Sequence, residues 1–396
     1  MINVGIVGQG YVGLPIAVEV ARAGFKVFGI DNDSSKIKKL NSGQSVVEDI
    51  KDSELGDLLE SGRYFATEDF KCLKSAEIIL LCVPTPLDND GMPDLSVLIL
   101  AATSVAKNMQ RNALVIVESS VAPGTTRNVV LKVLEKESGL KCEDFNLAFS
   151  PERIDPQNKH WSLKNTPKIV AGLSLESRSM AAEFYSKFLD TVIECDSLEV
   201  AETAKLLENS FRLINISFIN ELAIFCQKLG IDINEVIRAA ETKPYGFMPF
   251  YPSVGAGGHC IPVDPVYLAN KAKEISAPSR MINLAVEINK EIPKYFVDRA
   301  EKKLGELKGK NILVVGISYK PNVADIRETP VEALITDLEQ KGAQVSWHDD
   351  LVKEWNGEKS VSLSGDFDLA ILATPHDYLD LTKLGNVPIL NTRGSI

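Results

Sequence analysis

One cysteine lies in a glycine-rich segment whose composition suggests chemistry. Residues 257–264 read Gly-Gly-His-Cys-Ile-Pro-Val-Asp, so Cys260 follows two glycines and precedes the carboxylate of Asp264 by four residues. A structural cysteine usually lies within an apolar run, whereas a thiol in such a loop is typical of a reactive site. A thiolate can hold an aldehyde as a thiohemiacetal, which a hydride acceptor then oxidises to a thioester. We therefore expect Cys260 to be a nucleophile.

Two further positions could assist a nucleophilic cysteine. Lys205 and Asn209 stand four residues apart in a long stretch with helical periodicity, so both would lie on one helix face, where they could stabilise an oxyanion. Many helices carry such a pair by chance. Glu152, in Ser-Pro-Glu-Arg after a strand-like run, could be a general base for water, although a glutamate beside Arg153 is more often part of a surface ion pair.

The start of the chain has the pattern of a dinucleotide site. Residues 8–13 read Gly-Gln-Gly-Tyr-Val-Gly directly after a strand-like run, and Asp31 ends the next such run. The first glycine permits a tight turn, the second lets a pyrophosphate approach, and the third allows close helix packing. Because a carboxylate at Asp31 would bind ribose hydroxyls and disfavour a 2′-phosphate, the pattern predicts NAD rather than NADP.

Other polar loops follow predicted strands or lie in the last domain. Val83-Pro84-Thr85-Pro86 and the segment 118–124 would face the ligand crevice of a doubly wound sheet, although ordinary turns favour the same residue types. Lys320, Arg327 and Arg393 could bind a diphosphate, or form surface ion pairs.

The elements that position these groups predict an α/β fold. Short apolar runs at 3–7, 26–30, 77–83 and 114–118 alternate with helical segments, which is typical of a doubly wound parallel sheet. Long helical stretches follow at 198–230 and 281–304, and a strand-then-glycine pattern restarts at 311–316. We expect two Rossmann-like domains joined by a central helical region, divided at 1–196, 197–304 and 305–396.

Bulk properties narrow the class of protein. The chain has 396 residues, 45% of them hydrophobic, and a net charge of −11, which argues against a general nucleic-acid or membrane-surface binder. The six cysteines are dispersed, so neither a zinc site nor a disulfide framework is indicated and a cytoplasmic location is expected. His160, His348 and His376 are expected to be structural or surface residues.

Taken in order, the motifs resemble those of the UDP-glucose/GDP-mannose dehydrogenase family over essentially the whole chain. Within it, the loop 242–252 and the motifs Ser-Pro-Glu-Arg and Gly-Gly-His-Cys-Ile-Pro-Val-Asp-Pro are most similar to UDP-N-acetylglucosamine 6-dehydrogenases. The resemblance implies NAD-dependent two-step oxidation of the C6 hydroxymethyl of a UDP-N-acetylhexosamine to the uronate, as in polysaccharide biosynthesis, by a homodimer or higher oligomer. The matching segments are 8–13, 83–86, 118–125, 150–153, Lys205 with Asn209, 257–264 and 320–330.

The resemblance also implies roles for individual residues. Cys260 would be the covalent nucleophile and Glu152 the base for thioester hydrolysis, while Lys205 and Asn209 steady oxyanions and Asp264 and Ser120 order water and proton transfers. No metal is expected. NAD would be bound by Gly8, Gly10, Tyr11, Val12, Gly13, Asp31, Lys36, Val83, Pro84, Thr85, Ser119, Ser120 and Arg327. The UDP-sugar would be bound by Glu152, Arg153, Lys205, Asn209, Phe250, Tyr251, Ser253, Gly255, Gly257, Lys320 and Arg393.

Some positions depart from the family pattern, and two alternatives stay open. Ser120 stands where a threonine is usual, Gln157 replaces a glycine, and Ser253 and Ala256 alter the loop ahead of the cysteine, which bears on sugar preference rather than on the chemistry. The alternatives are a UDP-glucose 6-dehydrogenase and a non-catalytic nucleotide-sugar or NAD-binding protein. The reacting site is expected where the domains meet.

Overall fold

A computed structural model of the chain describes residues 1–155, 158, 160–258 and 260–394. Gln157 and His259 therefore lie outside the described residues. The chain divides into two compact units, Met1–Leu207 and Glu208–Ile396, and the division falls within one long helix.

The first unit is built on an eight-stranded sheet with the order β3-β2-β1-β4-β5-β6-β7-β8. Strands β1 to β6 are parallel, and the reversal of strand order between β1 and β4 creates the crevice in which doubly wound sheets bind ligands. The sequence did not predict β3, β7 or β8, and β7 runs antiparallel to β6. The strands are β1 Asn3–Val7, β2 Lys26–Ile30, β3 Tyr64–Thr67, β4 Ile78–Leu81, β5 Leu114–Val117, β6 Asn146–Phe149, β7 Lys168–Gly172 and β8 Val192–Glu194.

Helices cover both faces of this sheet, because its central strands are apolar on both sides. In β5, Leu114 and Ile116 belong to one buried cluster, whereas Val115 and Val117 belong to the other. Alternate residues of a strand point to opposite faces, so each strand contributes to two cores. The helices are α1 Gly13–Arg22, α2 Ser34–Asn41, α3 Asp52–Glu60, α4 Ser96–Ala106, α5 Leu131–Ser138 and α6 Leu175–Ser186.

The second unit combines long helices with a smaller parallel sheet of order β10-β9-β13-β14. Pro293 is buried within α10 and does not end it. The helices are α7 Leu198–Leu229, which begins in the first unit, α8 Ile233–Glu241, α9 Asp264–Glu274, α10 Arg280–Leu304 and α11 Val331–Gln340. The strands are β9 Asn311–Val315, β10 Gln344–His348, β11 Glu354–Trp355, β12 Glu358–Lys359, β13 Leu369–Leu372 and β14 Ile389–Asn391.

The predicted fold class is confirmed: two α/β domains with parallel sheets are joined by a helical region. Strands β1 and β2 begin and end at the predicted residues. Within residues 1–155, 158, 160–258 and 260–394, no helix combines the length and the apolar content needed to cross a bilayer.

Candidate active site

The glycines of the loop after β1 show the division of roles that the motif predicts. Gly8 has a φ of +95°, and a Cβ there would lie 2.5 Å from the Cys82 carbonyl oxygen. A Cβ on Gly13 would lie 1.8 Å from the Gly8 carbonyl oxygen, so α1 can begin there only with glycine. Gly10 has no heavy atom within 4 Å of where a Cβ would stand. This open position fits the close approach of a pyrophosphate.

Asp31 lies at the carboxyl end of β2 and is bonded on both oxygens. Its Oδ2 accepts from the Gln9 backbone N–H at 2.8 Å and from Lys36 Nζ at 2.8 Å, while Oδ1 accepts from the Asp33 N–H at 3.1 Å. The bond from Gln9 ties the carboxylate to the glycine loop. Lys36 therefore lies at the predicted cofactor site as the ion partner of Asp31.

The loops after β4 and β5 are bonded to each other. Thr85 Oγ1 donates to the Ser120 carbonyl oxygen at 2.8 Å, and Ser119 Oγ donates to the Val83 carbonyl oxygen at 2.6 Å. Thr85 and Ser119 are buried, whereas Pro84 is exposed and Ser120 is half-buried. The sequence could not decide between turn and ligand roles for these residues. Their hydroxyl protons join the two loops, and their remaining lone pairs could still accept from a ligand.

Glu152 and Arg153 follow β6 at the same edge of the sheet. The Glu152 N–H donates to the Glu118 carbonyl oxygen at 3.4 Å, and Arg153 Nη1 donates to the Pro167 carbonyl oxygen at 2.5 Å. Both side chains are half-buried. The first unit thus gathers the predicted loops 8–13, 83–85, 119–120 and 152–153 and Asp31 at the carboxyl ends of its strands.

In the second unit, the cysteine loop packs against the segment after β9. The Gly258 N–H donates to the Arg327 carbonyl oxygen at 3.0 Å, and a Cβ on Gly257 would lie 2.7 Å from the Glu328 carbonyl oxygen. Gly258 has a φ of +82°. The glycines therefore allow two backbone segments to touch. Cys260 is half-buried and lies four residues before the start of α9.

Asp264 connects the cysteine loop to α7. Its N–H donates to the Cys260 carbonyl oxygen at 2.9 Å, and its Oδ2 accepts from Asn209 Nδ2 at 2.6 Å. The Asp264 and Asn209 side chains are 1% and 6% exposed, and Lys205, one turn earlier on α7, is 5% exposed. Asn209 has a second amide N–H, so the bond to Asp264 does not exhaust its capacity to donate.

Two asparagines that the sequence did not single out hold the loop ahead of the cysteine. The Ser253 N–H donates to Asn220 Oδ1 at 2.9 Å. Asn289 accepts from the Ala256 N–H at 2.6 Å and donates to its carbonyl oxygen at 3.1 Å. Both asparagines lie on long helices, where Asn220 is buried and Asn289 is half-buried, and an amide side chain near apolar residues is the only sequence signal. Of the other predicted residues of this loop, Phe250 packs edge to face on Phe211 at 5.8 Å, Tyr251 is exposed and Gly255 is buried.

The predicted cations of the last domain are placed differently from one another. Arg327 forms a bidentate ion pair with Asp325, with Nη2–Oδ2 and Nε–Oδ1 distances of 2.5 and 2.9 Å. Burial lowers the pKa of Arg393, whose carbonyl oxygen accepts from Asn234 Nδ2 at 2.8 Å. Lys320 is half-buried in the loop after β9.

A buried histidine–aspartate pair secures that loop. His376 Nδ1 accepts from the Asn322 N–H at 2.9 Å, so Nε2 carries the proton and donates to Asp349 Oδ2 at 3.0 Å. Asp349 directly follows β10, as Asp31 directly follows β2. Asp349 is fully buried, and its carboxylate also accepts from the N–H groups of Ile317, Leu351 and Val352. Burial opposes its ionisation, but the hydrogen bonds from His376 and from the backbone outweigh burial and lower the pKa of Asp349 to about 2.

The expectation for the other histidines also agrees with the structure. His348 is buried and bonded to the Val361 carbonyl oxygen at 2.5 Å, and His160 is exposed.

A second buried cluster, which the sequence did not predict, contacts the backbone directly before Glu152. Lys168 Nζ is 2.5 Å from Glu118 Oε2, and Tyr185 OH donates to Glu118 Oε1. All three side chains are almost fully buried. A lysine at the head of the apolar strand Lys-Ile-Val-Ala-Gly is the signal that could have indicated it.

Comparison with known proteins gives one family across the chain. Three domain models of the UDP-glucose/GDP-mannose dehydrogenase family match the chain. The NAD binding domain matches residues 2–189, the central domain matches 199–291 and the UDP binding domain matches 313–391. Protein CapL of Staphylococcus aureus is 36% identical in an alignment of 395 positions that covers 96% of this chain and 92% of that protein.

Two further relatives carry substrate names. UDP-N-acetyl-D-glucosamine 6-dehydrogenase of Pseudomonas aeruginosa is 34% identical over 388 residues, covering 95% of this chain and 90% of that protein. The solved structure of UDP-D-ManNAc dehydrogenase from Pyrococcus horikoshii matches with a TM-score of 0.90 and 32% identity, covering 99% of this chain and 95% of that one.

Proposed function

Because this chain belongs to the UDP-glucose/GDP-mannose dehydrogenase family, we propose that it oxidises the C6 hydroxymethyl group of a UDP-N-acetylhexosamine to a carboxylate, with UDP-N-acetylglucosamine as the substrate. The chain is an NAD-dependent nucleotide-sugar dehydrogenase. The choice of sugar rests on the loop 242–252, the Ser-Pro-Glu-Arg motif and the motif Gly-Gly-His-Cys-Ile-Pro-Val-Asp-Pro. Relatives named for N-acetylglucosamine and for N-acetylmannosamine are both similar to the chain.

The glycine loop and Asp31 would hold NAD. The open space beside Gly10 admits the pyrophosphate, α1 presents its N-terminus to the negative charge, and the Asp31 carboxylate is available to the ribose hydroxyls. Lys36, Val83, Thr85 and Ser119 would complete this site, together with Tyr11, Val12, Pro84, Ser120 and Arg327. Bound there, NAD supplies the hydride acceptor for both oxidations.

The observation that carries the mechanism is the chain of contacts from Asn209 through Asp264 to Cys260. The Cys260 thiolate would add to the C6 aldehyde to form a thiohemiacetal. Its oxygen would receive hydrogen bonds from the Lys205 ammonium and from the amide N–H of Asn209 that Asp264 does not use. Asp264 thus fixes the donor direction of Asn209, and the second oxidation gives a thioester on Cys260.

Hydrolysis of the thioester would use Glu152. The carboxylate would accept a proton from a water molecule as the water oxygen attacks the thioester carbon. The carbon–sulfur bond breaks, the thiolate of Cys260 leaves, and the uronate is released. Ser120 and Asp264 would order the water, while the loop 250–257, Arg153, Lys320 and Arg393 would hold the UDP-sugar.

The test is a panel of UDP-N-acetylglucosamine, UDP-N-acetylmannosamine, UDP-N-acetylgalactosamine and UDP-glucose with NAD, in which NADH and acid are both quantified. Two NADH per acid from UDP-N-acetylglucosamine supports the proposal. Turnover of UDP-glucose alone would replace the proposed sugar, and one NADH with free aldehyde would contradict the covalent mechanism. Binding of both ligands without NADH would indicate a non-catalytic binding protein.

Helix α7 also supports a proposal of self-association. Val200, Leu207, Phe211, Phe218, Phe225 and Leu229 are between 45% and 61% exposed. At about 100° per residue these positions fall within about 20° of one line along the helix, so they form a continuous apolar stripe. We propose that the stripe pairs two copies of the chain as a homodimer, because an exposed apolar surface of this kind marks an interface.

We also propose a functional division and a location for the chain. We divide the chain functionally into an NAD domain 1–196, a central region 197–304 and a UDP-sugar domain 305–396. The six dispersed cysteines support a reducing, cytoplasmic location.

A further inference from the structure

Lys168 joins three segments of the first unit in a buried cluster. Its Nζ lies 2.5 Å from Glu118 Oε2 and donates to the Pro151 carbonyl oxygen at 3.0 Å, and it stands 5.1 Å from the centre of the Tyr185 ring. Lys168 is 3% exposed and Glu118 is 1% exposed. Because Pro151 immediately precedes Glu152, the ammonium is bonded to the backbone that carries the proposed base.

The strand arrangement explains how Lys168 reaches this position. Strand β7 runs antiparallel to β6, so its first residue returns beside the segment that follows Phe149. Ser150 Oγ donates to the Ile169 carbonyl oxygen at 2.8 Å, which fixes the same two segments one residue earlier. Glu118, for its part, directly precedes Ser119 and Ser120. The ion pair thus ties the loop of the proposed base to the loop of the proposed cofactor site.

Stability alone is a weak reason for such a pair. Replacing a buried ion pair by apolar groups of similar volume is often neutral or stabilising, whereas removing one partner is strongly destabilising. Burial, and then the charge of Glu118, raises the pKa of Tyr185, so its phenol keeps a proton and donates to Glu118. With Glu118 bonded to both Lys168 and Tyr185, the Lys168 ammonium is held in one place, where it can fix the Pro151 carbonyl.

We propose that Lys168 is a positioning residue for Glu152, acting through the Pro151 carbonyl oxygen during thioester hydrolysis. The inference rests on the proposed function, in which Glu152 takes the proton of the attacking water. In that proposal Glu152 acts only at hydrolysis. Loss of the bond from Lys168 should therefore slow the release of acid more than the formation of the thioester.

The experiment compares Lys168→Met with the double variant Lys168→Met/Glu118→Gln. The single variant leaves Glu118 buried without its cation and is expected to lower the melting temperature. The double variant removes both charges, keeps an acceptor for Tyr185, and still lacks the bond to Pro151. Lys187→Met, at an exposed lysine just after α6, is the control for loss of a charge.

Rapid mixing with UDP-N-acetylglucosamine and NAD separates the steps. We expect the folded double variant to release two NADH per chain in the first turnover at close to the wild-type rate, and then to form acid roughly 10- to 100-fold more slowly. The thioester adduct on Cys260 should accumulate and be detected by intact mass after an acid quench. Lys187→Met should behave as the wild type.

Three results would overturn the inference. The first is acid formation at the wild-type rate by the folded double variant, and the second is equal slowing of the NADH burst and of acid release. The third is loss of the folded state in the double variant although both charges are removed, which would show that the pair serves stability. Failure of the proposed function is distinct, since the wild-type chain itself would then give no thioester adduct or no acid.

Discussion

The side-chain amide of Asn209 donates to the carboxylate of Asp264 over 2.6 Å, and both groups are buried. This bond connects the middle of α7 to the first turn of α9, directly after the cysteine loop. Truncating either partner leaves a buried polar group whose hydrogen bond is lost. We expect Asn209→Ala and Asp264→Ala each to lower the free energy of unfolding, with a coupling energy of about 1.5–3 kcal/mol in a double-mutant cycle. Urea unfolding of the four proteins measures it, and simple additivity would contradict a direct bond.

Removal of the proposed nucleophile should separate binding from catalysis. Cys260→Ala should bind NAD and UDP-N-acetylglucosamine with affinities near those of the wild type, measured by calorimetry, yet form no acid. Cys142→Ala, at an exposed cysteine, is the matched control and should keep full activity. Normal acid production by Cys260→Ala would remove Cys260 from the mechanism.

The carboxylate of Asp31 should determine the preference for NAD. Asp31→Ser shortens the side chain and removes the charge, so the KM for NAD should rise roughly 10- to 100-fold and the preference over NADP should narrow. Lys36→Met keeps the carboxylate and should have the smaller effect. Steady-state kinetics with both cofactors decide the point, and an unchanged cofactor ratio in Asp31→Ser would count against the assignment.

The buried Asp349 should contribute to acid sensitivity. Its folded pKa of about 2 lies below the ordinary value of 3.8, so its stabilisation is present above pH 3.8 and is lost as the pH falls through 2. The shift corresponds to about 2 kcal/mol. Asp349→Asn should be less stable at neutral pH and should lose correspondingly less on acidification than the wild type. Urea unfolding at several pH values tests this, and parallel pH profiles for the two proteins would exclude the contribution.

A charge on the apolar stripe should prevent self-association. Phe218 lies near the middle of the stripe on α7, so Phe218→Glu is expected to convert a dimer into a monomer, as measured by light scattering. Phe65→Glu, at an exposed phenylalanine of β3, is the control. A wild-type chain that is already monomeric would show that the stripe has another use.

Features that depend on local sequence patterns could be predicted, whereas long-range contacts could not. The glycine loop 8–13 could be predicted because each glycine meets a steric requirement within its own turn. Strands β1, β2, β4 and β5 could be predicted because their apolar runs are continuous. The bond from Lys168 to Pro151 could not be predicted, because it depends on the antiparallel pairing of β7 with β6, which no sequence motif indicates.

Side-chain partners were likewise beyond the sequence. His376 was expected to be structural or at the surface, and it is buried, but its partner Asp349 is 27 residues away. The hydroxyls of Thr85 and Ser119 were open to ligand or turn roles, and their donation to the neighbouring loop depends on the pairing of β4 with β5. Pairing between strands therefore decides contacts that composition leaves open.

The hydrogen bonds that the Asp349 carboxylate already accepts bear on how many dinucleotides one chain is expected to bind. The chain contains the same kind of nucleotide-binding architecture twice, and each copy places an aspartate after its second strand. We propose that the carboxylate of Asp31 also accepts from ribose hydroxyls, whereas the carboxylate of Asp349 already accepts from four donors of the chain itself. We therefore expect one dinucleotide site per polypeptide, in the first domain, and we expect that the second α/β domain does not compete for the dinucleotide.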